Sequence, residues 1–253
     1  ELTSDDYGGA LEADILQTQD NRQGIAHAAA MAEEYGLSAE TFTLSGKING
    51  AASAKGSAHN AAFAKHLRAM SEPHEVLDAR QMRDITGTDY YQDGLFTPGT
   101  AMIQPAMFVR GVAAWLGSNR VTIHENSPVI SLERHGDWVA RTPKGQVTAP
   151  RVILAVNGHL NSFGHMQGRL MHVFTYASMT RALSSDEVAS LGGEPIWGLT
   201  PADPMGTTVR RNSRTGGDQI VIRTPVTFDP KMEVSARRID HVGRDHDRAF
   251  AAR

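Results

Sequence analysis

Apolar residues recur at helical spacing over 20–36, where Ile25, Ala29 and Ala32 fall on one face and Gly36 supplies a left-handed stop. The same spacing predicts a helix over 59–70, with Phe63 and Leu67 one turn apart, and a shorter one over 77–86, with Leu77, Met82 and Ile85 inward. Between the first two, Thr41-Phe42-Thr43-Leu44 alternates as a short strand does before Gly46. Apolar stripes of this kind mark buried faces and carry no chemistry by themselves.

Residues 94–99 read as loop, and Pro105 opens a helix with Val109, Val112 and Leu116 on one face and Gly117 past its end. Short β-branched stretches at 121–125, 129–134 and 137–141 then predict strands, and a Pro143-Lys144-Gly145 turn leads to another over 146–148. The run Arg151-Val152-Ile153-Leu154-Ala155-Val156 stops abruptly at Asn157-Gly158. It fits a strand buried on both faces of a parallel sheet, whose carboxyl end is where such sheets bind ligands. From 171 onward the texture changes to a strand over 172–179, a short acidic helix over 184–190, and strands at 207–211 and 219–223 flanking Gly216-Gly217. A last helix follows from 232. The fold class is α/β with α+β character, combining strands and helices of one domain with a mainly antiparallel sheet. The strand at 152–156 is expected to lie against those at 121–141, apart from the sheet of 171–230.

With 253 residues, 40% hydrophobic and 21% charged, the chain has material for one large domain or two modest ones. Twenty-eight acidic against 25 basic residues give a net charge of −3, so no basic surplus points to nucleic acid or a membrane surface. The lack of cysteine removes disulfides, thiolate zinc, thiol catalysis and iron–sulfur clusters together. The longest mainly apolar stretch, 102–116, is broken by Gln104, Pro105 and Arg110 and is too short to span a bilayer. The acidic opening at 1–6 is unlike a signal peptide, and a cytoplasmic location is the expectation. The sequence opens without Met and stops within a helical-looking stretch, 245–253, which suggests a piece of something longer.

No G-x-G spacing occurs anywhere, so the dinucleotide fingerprint G-x-G-x-x-G is absent, as are the phosphate-binding loop and the G-x-S-x-G nucleophile turn. His241 and His246, beside Asp245 and Asp247, read as an exposed polar helix end, and no metal is expected. His159, His165 and His172 crowd the stretch after the apolar run, in structural or solvated roles or near a ligand pocket. Glu33-Glu34 reads as a solvated helix face.

One arrangement of parts goes further. Gly94-Leu95-Phe96-Thr97-Pro98-Gly99, followed after four intervening residues by Gln104-Pro105, resembles the middle of FAD-dependent amine and amino-acid oxidases of the D-amino-acid oxidase superfamily. Glu125-Asn126-Ser127-Pro128-Val129 and Val152-Ile153-Leu154-Ala155-Val156-Asn157-Gly158-His159 are similar to two further segments of that family, in the same order. The resemblance is best over 94–164. The family's N-terminal glycine-rich unit and its C-terminal segment around the isoalloxazine have no counterpart within these residues.

The resemblance implies FAD in the parent protein and a small-molecule amine or amino acid as substrate. It implies division into a helical region at 1–93, the remaining part of an FAD-binding domain at 94–164, and a substrate-domain sheet with a terminal helix at 165–253. Val129 would meet the adenine end of the cofactor, and Ala155, Asn157 and Gly158 would lie against it. Tyr176, Arg210 and Arg211 are the substrate-wall candidates. An arginine suits a substrate carboxylate, and strand alternation lets only one of the two arginines face inward. No catalytic acid or base is implied, because the flavin takes the hydride and the protein orients the amine. A non-catalytic α/β binding or interaction module without cofactor is the alternative, and a hydrolase using His and Asp is a weaker third. Because the pyrophosphate-binding turn is not among residues 1–253, this chain should purify without flavin. A stoichiometric flavin absorbance band in the purified chain would overturn that expectation.

Overall fold

The computed structural model describes residues 10–203, 206–229 and 233–251. It divides into two compact units. The larger comprises the described residues of Glu1–Val112, Thr175–Thr227 and Val234–Arg253, and the smaller those of Ala113–Phe174 and Phe228–Glu233.

The larger unit is organised by a seven-stranded sheet. Its strands are β2 (Lys47–Ala51), β3 (Glu75–Asp78), β4 (Asp93–Thr97), β9 (Val173–Met179), β10 (Ile196–Pro201), β11 (Thr208–Arg214) and β12 (Gly217–Phe228). Their spatial order is β3-β4-β2-β10-β11-β12-β9. The β2–β10 pair is parallel, whereas β3–β4, β2–β4, β10–β11 and β11–β12 are antiparallel. Register lines up Ile48, Leu199, Val209 and Ile222 in one row across four strands. All four are at most 4% exposed. Two helices, α3 (Ala79–Thr86) and α6 (Ala236–Ala251), lie on this side, contributing Met82 from α3 and Ala249 and Phe250 from α6 to the same cluster.

The other face carries Leu95 of β4, against which Phe63, Ala64 and Leu67 of α2 (Ala54–Ala69) pack. Ser53 caps α2 by accepting from the Gly56 N–H and itself donates to Asp203, which also accepts from the Ala52 N–H at 3.2 Å. Asn60 donates to the Asn49 carbonyl at 3.0 Å and to Asp93 at 2.8 Å, pinning α2 to the sheet through buried polar contacts. A 24-residue helix, α1 (Leu11–Glu34), is nearly devoid of an apolar stripe and is held by polar clamps instead: Asp14 with His66 at 2.9 Å and Arg22 with Glu72 at 2.6 Å. Opposite the sheet centre, β1 (Phe42–Leu44) pairs with β5 (Ala101–Ile103), and the Met102 side chain reaches Gly198.

Several expectations are corrected here. Residues 93–97 form β4 rather than a loop, and 47–51 and 196–201, which carry no alternating pattern, are central strands. Glycine misleads at these places. A Cβ on Gly50 would lie 2.5 Å from Leu199 Cδ1, and one on Gly94 would strike the Met82 sulfur, so glycine here admits a close neighbour instead of making a bend. Leu77 belongs to strand β3, because Asp78 and Gln81 close a capping box that starts α3 only at Ala79. The helix α4 (Pro105–Asn119) runs through Gly117 instead of stopping before it.

In the smaller unit β6 (Ser131–His135), β7 (Asp137–Thr142) and β8 (Gly145–Ala149) make an antiparallel meander. Residues 121–125 and 152–156 are not strands, and no residue in 113–174 is fully buried. Ile153 is 91% exposed and Val152 37%. A strand of the doubly buried kind needs a hydrogen-bonded neighbour on each side, and among the described residues nothing pairs with this one. The expected packing of 152–156 on 121–141 is therefore not formed.

Gly87 ends α3 with φ +79°, and a Cβ there would run into the Leu191 carbonyl oxygen at the end of α5 (Ser185–Leu191). Gly87→Ala combines that backbone clash with a left-handed conformation, and it should destabilise the larger unit by about 1–3 kcal/mol. Urea unfolding followed by circular dichroism measures the shift, and an unchanged midpoint would show that the two helix ends are not locked together.

Candidate functional site

The β11–β12 hairpin places both arginines flagged by the sequence, and it sends them to opposite faces. Arg211 shares the side of Val209, opposite Trp197 on one neighbour and Ile220 on the other, within the core. It is 2% exposed. Its guanidinium makes a forked pair with Asp218, Nε to Oδ1 at 3.0 Å and Nη2 to Oδ2 at 2.8 Å, and its third nitrogen donates to the Gly192 carbonyl. All three guanidinium nitrogens thereby have an acceptor inside the protein, as a buried charge requires. The hairpin is thus tied to the segment after α5.

Arg210 points the other way. It lies across from Gly198 on β10 and Val221 on β12, and its side chain is exposed. Partial desolvation by the surrounding protein, then repulsion from Arg223, holds its pKa below the ordinary arginine value. Tyr176 sits two residues before Ser178 on β9 and so shares its face. Ser178 Oγ meets His246 Nδ1 of α6 at 2.7 Å, so Tyr176 belongs to the α6 side, where its hydroxyl contacts Thr227 Oγ1 at 2.6 Å. The three substrate-wall candidates are therefore not together. Arg210 alone stands on the face opposite α6.

His246 was expected on an exposed helix end. It is buried, because Val242 and His246 share the inward face of α6 one turn apart, and Nε2 meets the Thr224 carbonyl. His241 stays outside, 3.4 Å from Asp245. Among the described residues no group of His, Asp or Glu could hold a metal ion, and no helix is long and apolar enough to cross a membrane.

The cofactor candidates all lie in the smaller unit, at two places. Val129 lines a hollow of about 470 Å³ with His124, Ser127, Ala140, Thr142 and Val147 among its walls. Asn157 and Gly158 line another, of about 370 Å³, with His159, Met171 and His172. Asn157 takes φ +50°, and a Cβ on Gly158 would collide with the His172 ring, so the exit from the apolar run needs glycine for room. Ala155 lies just before this turn and is exposed.

Sequence reasoning missed Asp218, Gly192 and Arg223. A signal for Asp218 was present, since alternation counted outward from Gly216-Gly217 puts Arg211 and Asp218 on one side of the hairpin. Gly192 had none, because its part is played by a backbone carbonyl.

The class of protein follows from the match of residues 7–251 to the DAO family, FAD dependent oxidoreductase. The chain belongs to this family. It is 25% identical over 183 residues to the probable oxidoreductase OrdL of Rhizobium meliloti (strain 1021), covering 69% of this chain and 41% of that protein. It is 33% identical over 119 residues to gamma-glutamylputrescine oxidoreductase of Escherichia coli (strain K12), covering 46% of this chain and 28% of that protein. The matched region thus spans less than half of these relatives' length. Among solved structures, glycine oxidase from Geobacillus kaustophilus superposes with a TM-score of 0.66 at 18% identity, covering 92% of this chain and 61% of that one. L-Proline dehydrogenase from P. horikoshii gives a TM-score of 0.64 at 12% identity, covering 96% and 63%. These structural likenesses establish the fold.

The two arginines should separate cleanly in stability. Arg211→Ala leaves Asp218 buried and unpaired and should cost about 3–5 kcal/mol, whereas Arg210→Ala should stay within about 0.5 kcal/mol of the parent. Thermal or urea unfolding of the two variants reads the difference, and equal losses would contradict the assignment of faces.

Proposed function

We propose that this chain is the central portion of a flavoenzyme that oxidises the C–N bond of a small amine or amino acid. In this reading the smaller unit contributes to the FAD-binding part, the larger unit is the substrate-binding part, and polypeptide beyond residues 1–253 completes the site. The observation that carries the reading is Arg210, exposed on one face of a sheet whose other face is filled by α3 and α6. The family membership and the activities of the relatives named above support it.

The residues of the smaller unit suit FAD in character. The hollow beside Val129 combines apolar walls from Val129, Ala140 and Val147 with polar edges from Ser127 and Thr142, as a flat ring with heteroatoms at its rim requires. Val129 would hold the adenine end, and Ala155, Asn157 and Gly158 would offer close-approaching backbone elsewhere along the cofactor. When bound, FAD supplies the hydride acceptor. The chain's own task is to bind and orient. Arg210 grips the substrate carboxylate in a forked, charge-assisted contact, fixing the carbon that bears the amine. Loss of a hydride from that carbon of the neutral amine would leave an iminium ion, to which water adds to give the carbonyl product and ammonium or, from a secondary amine, the protonated amine. Tyr176 contributes by bracing β9 against β12 through Thr227.

The test uses the full-length parent and a panel of amines and amino acids, scoring carbonyl product and substrate loss. Oxidation of at least one amine is expected. Arg210→Ala should raise KM about tenfold to a hundredfold for a carboxylate-bearing substrate, the worth of one charge-assisted contact of roughly 1.5–3 kcal/mol. A panel with no oxidised amine, or an unchanged KM in that variant, would overturn the reading.

A further inference from the structure

Arg210 has a cationic companion on the neighbouring strand. Thr208 pairs with Arg223 and Arg210 with Val221 across β11 and β12. Residues in register share a face, and so do residues two apart on a strand, so Arg210 and Arg223 rise from the same side as diagonal neighbours. Such neighbours have Cα atoms about 7–8 Å apart, within reach of two arginine side chains. Both side chains are exposed.

Other arginines of this unit are tied down: Arg211 by Asp218, Arg181 by Glu187 at 2.7 Å, and Arg214 by the Ala39 carbonyl at 3.3 Å. Among the described residues, Arg210 and Arg223 have no carboxylate partner. The positions that share their face on the hairpin are Thr208, Asn212, Arg214, Gly217, Gln219 and Val221, none of them acidic. The two guanidiniums instead repel each other, which contributes to the lowered pKa of Arg210. Two adjacent cations without a carboxylate partner make a local positive field that favours a ligand bringing negative charge.

We propose that Arg210 and Arg223 form a paired subsite for two carboxylates of one ligand, so that the preferred substrate is an amine carrying two acidic groups. This rests on the reading of the Arg210 face as the substrate wall. One carboxylate neutralises one guanidinium and leaves the other uncompensated. A short dicarboxylate satisfies both, and each arginine offers a fork that fits a carboxylate end-on. Arg223 is thereby the residue that sets specificity, separating dicarboxylate from monocarboxylate substrates.

The probes are glutarate and butyrate, titrated calorimetrically into the protein at low ionic strength, where exposed charges are least screened. Glutarate should bind at least tenfold more tightly than butyrate. Arg223→Gln should abolish that preference while leaving butyrate affinity within about twofold, Arg210→Gln should abolish it too, and the distant Arg80→Gln should leave it intact. Equal affinity for the two probes, no binding of either, or a preference that survives Arg223→Gln or falls equally in Arg80→Gln would each overturn the subsite. Failure here and failure of the oxidase reading are distinguishable. Turnover of amines without glutarate preference removes the subsite alone, and glutarate preference without any amine turnover removes the reaction alone.

Discussion

The architecture of the larger unit depends on one pairing, the parallel contact of β2 with β10. It joins residues 47–51 to residues 196–201, and every other part of the seven-stranded sheet is attached on one side or the other of this seam. The seam closes tightly because Gly50 leaves space for the Leu199 side chain, and it is continued past the strands by the Ala202 N–H donating to the Gly50 carbonyl at 2.9 Å. Asp203 then accepts from the Ala52 N–H and from the hydroxyl of Ser53, the residue that caps α2, so the turn that leaves β10 also fixes the helix that leaves β2. Two stretches remote in sequence are locked by backbone hydrogen bonds, one apolar row and one carboxylate.

That seam is also where local reading of the sequence runs out. Elements with strong periodicity or punctuation were legible: the helix begun by Pro105, the meander strands near 131–149, the acidic helix capped by Ser184, and the hairpin signalled by Gly216-Gly217, although its turn is Thr215-Gly216 and Gly217 already pairs with Arg214 in β12. The central strands were not. Lys47-Ile48-Asn49-Gly50-Ala51 and Ile196-Trp197-Gly198-Leu199-Thr200-Pro201 contain the glycines, asparagine and proline that ordinarily mark turns. Their strand character comes from tertiary packing: Met102 over Gly198, Leu199 over Gly50, and Thr200 Oγ1 donating to Asn49 Oδ1 at 2.7 Å. The run at 152–156 errs in the opposite direction. Its composition is that of a buried strand, but burial is a property of neighbours, and the described residues provide none.

For the candidate site, alternation was the useful rule and also the limit. It states that Arg210 and Arg211 must part company, yet it cannot say which one enters the core. The deciding residue is Asp218, which gives a buried guanidinium a partner within the same hairpin, while the Gly192 carbonyl completes the coordination. Among the described residues Arg210 has no such partner, and its side chain is exposed. The family likeness was carried by 94–164, and this stretch is not uniform: Leu95, Thr97 and Met102 are buried parts of the larger unit, whereas none of residues 113–164 is fully buried.

The seam between β2 and β10 has a consequence for how the chain is made. Asn49 and Thr200 are 151 residues apart, so at about 5–20 residues per second a ribosome leaves the β10-facing edge of β2 unpaired for about 8–30 s. During that interval the β2–β3–β4 portion is a nascent sheet with one raw edge, the arrangement most open to pairing with another chain. Its shortness and its glycine make it a poor template, having few side chains with which to hold a stranger in register. The same glycine that admits Leu199 in the finished protein thus keeps the growing one from sticking.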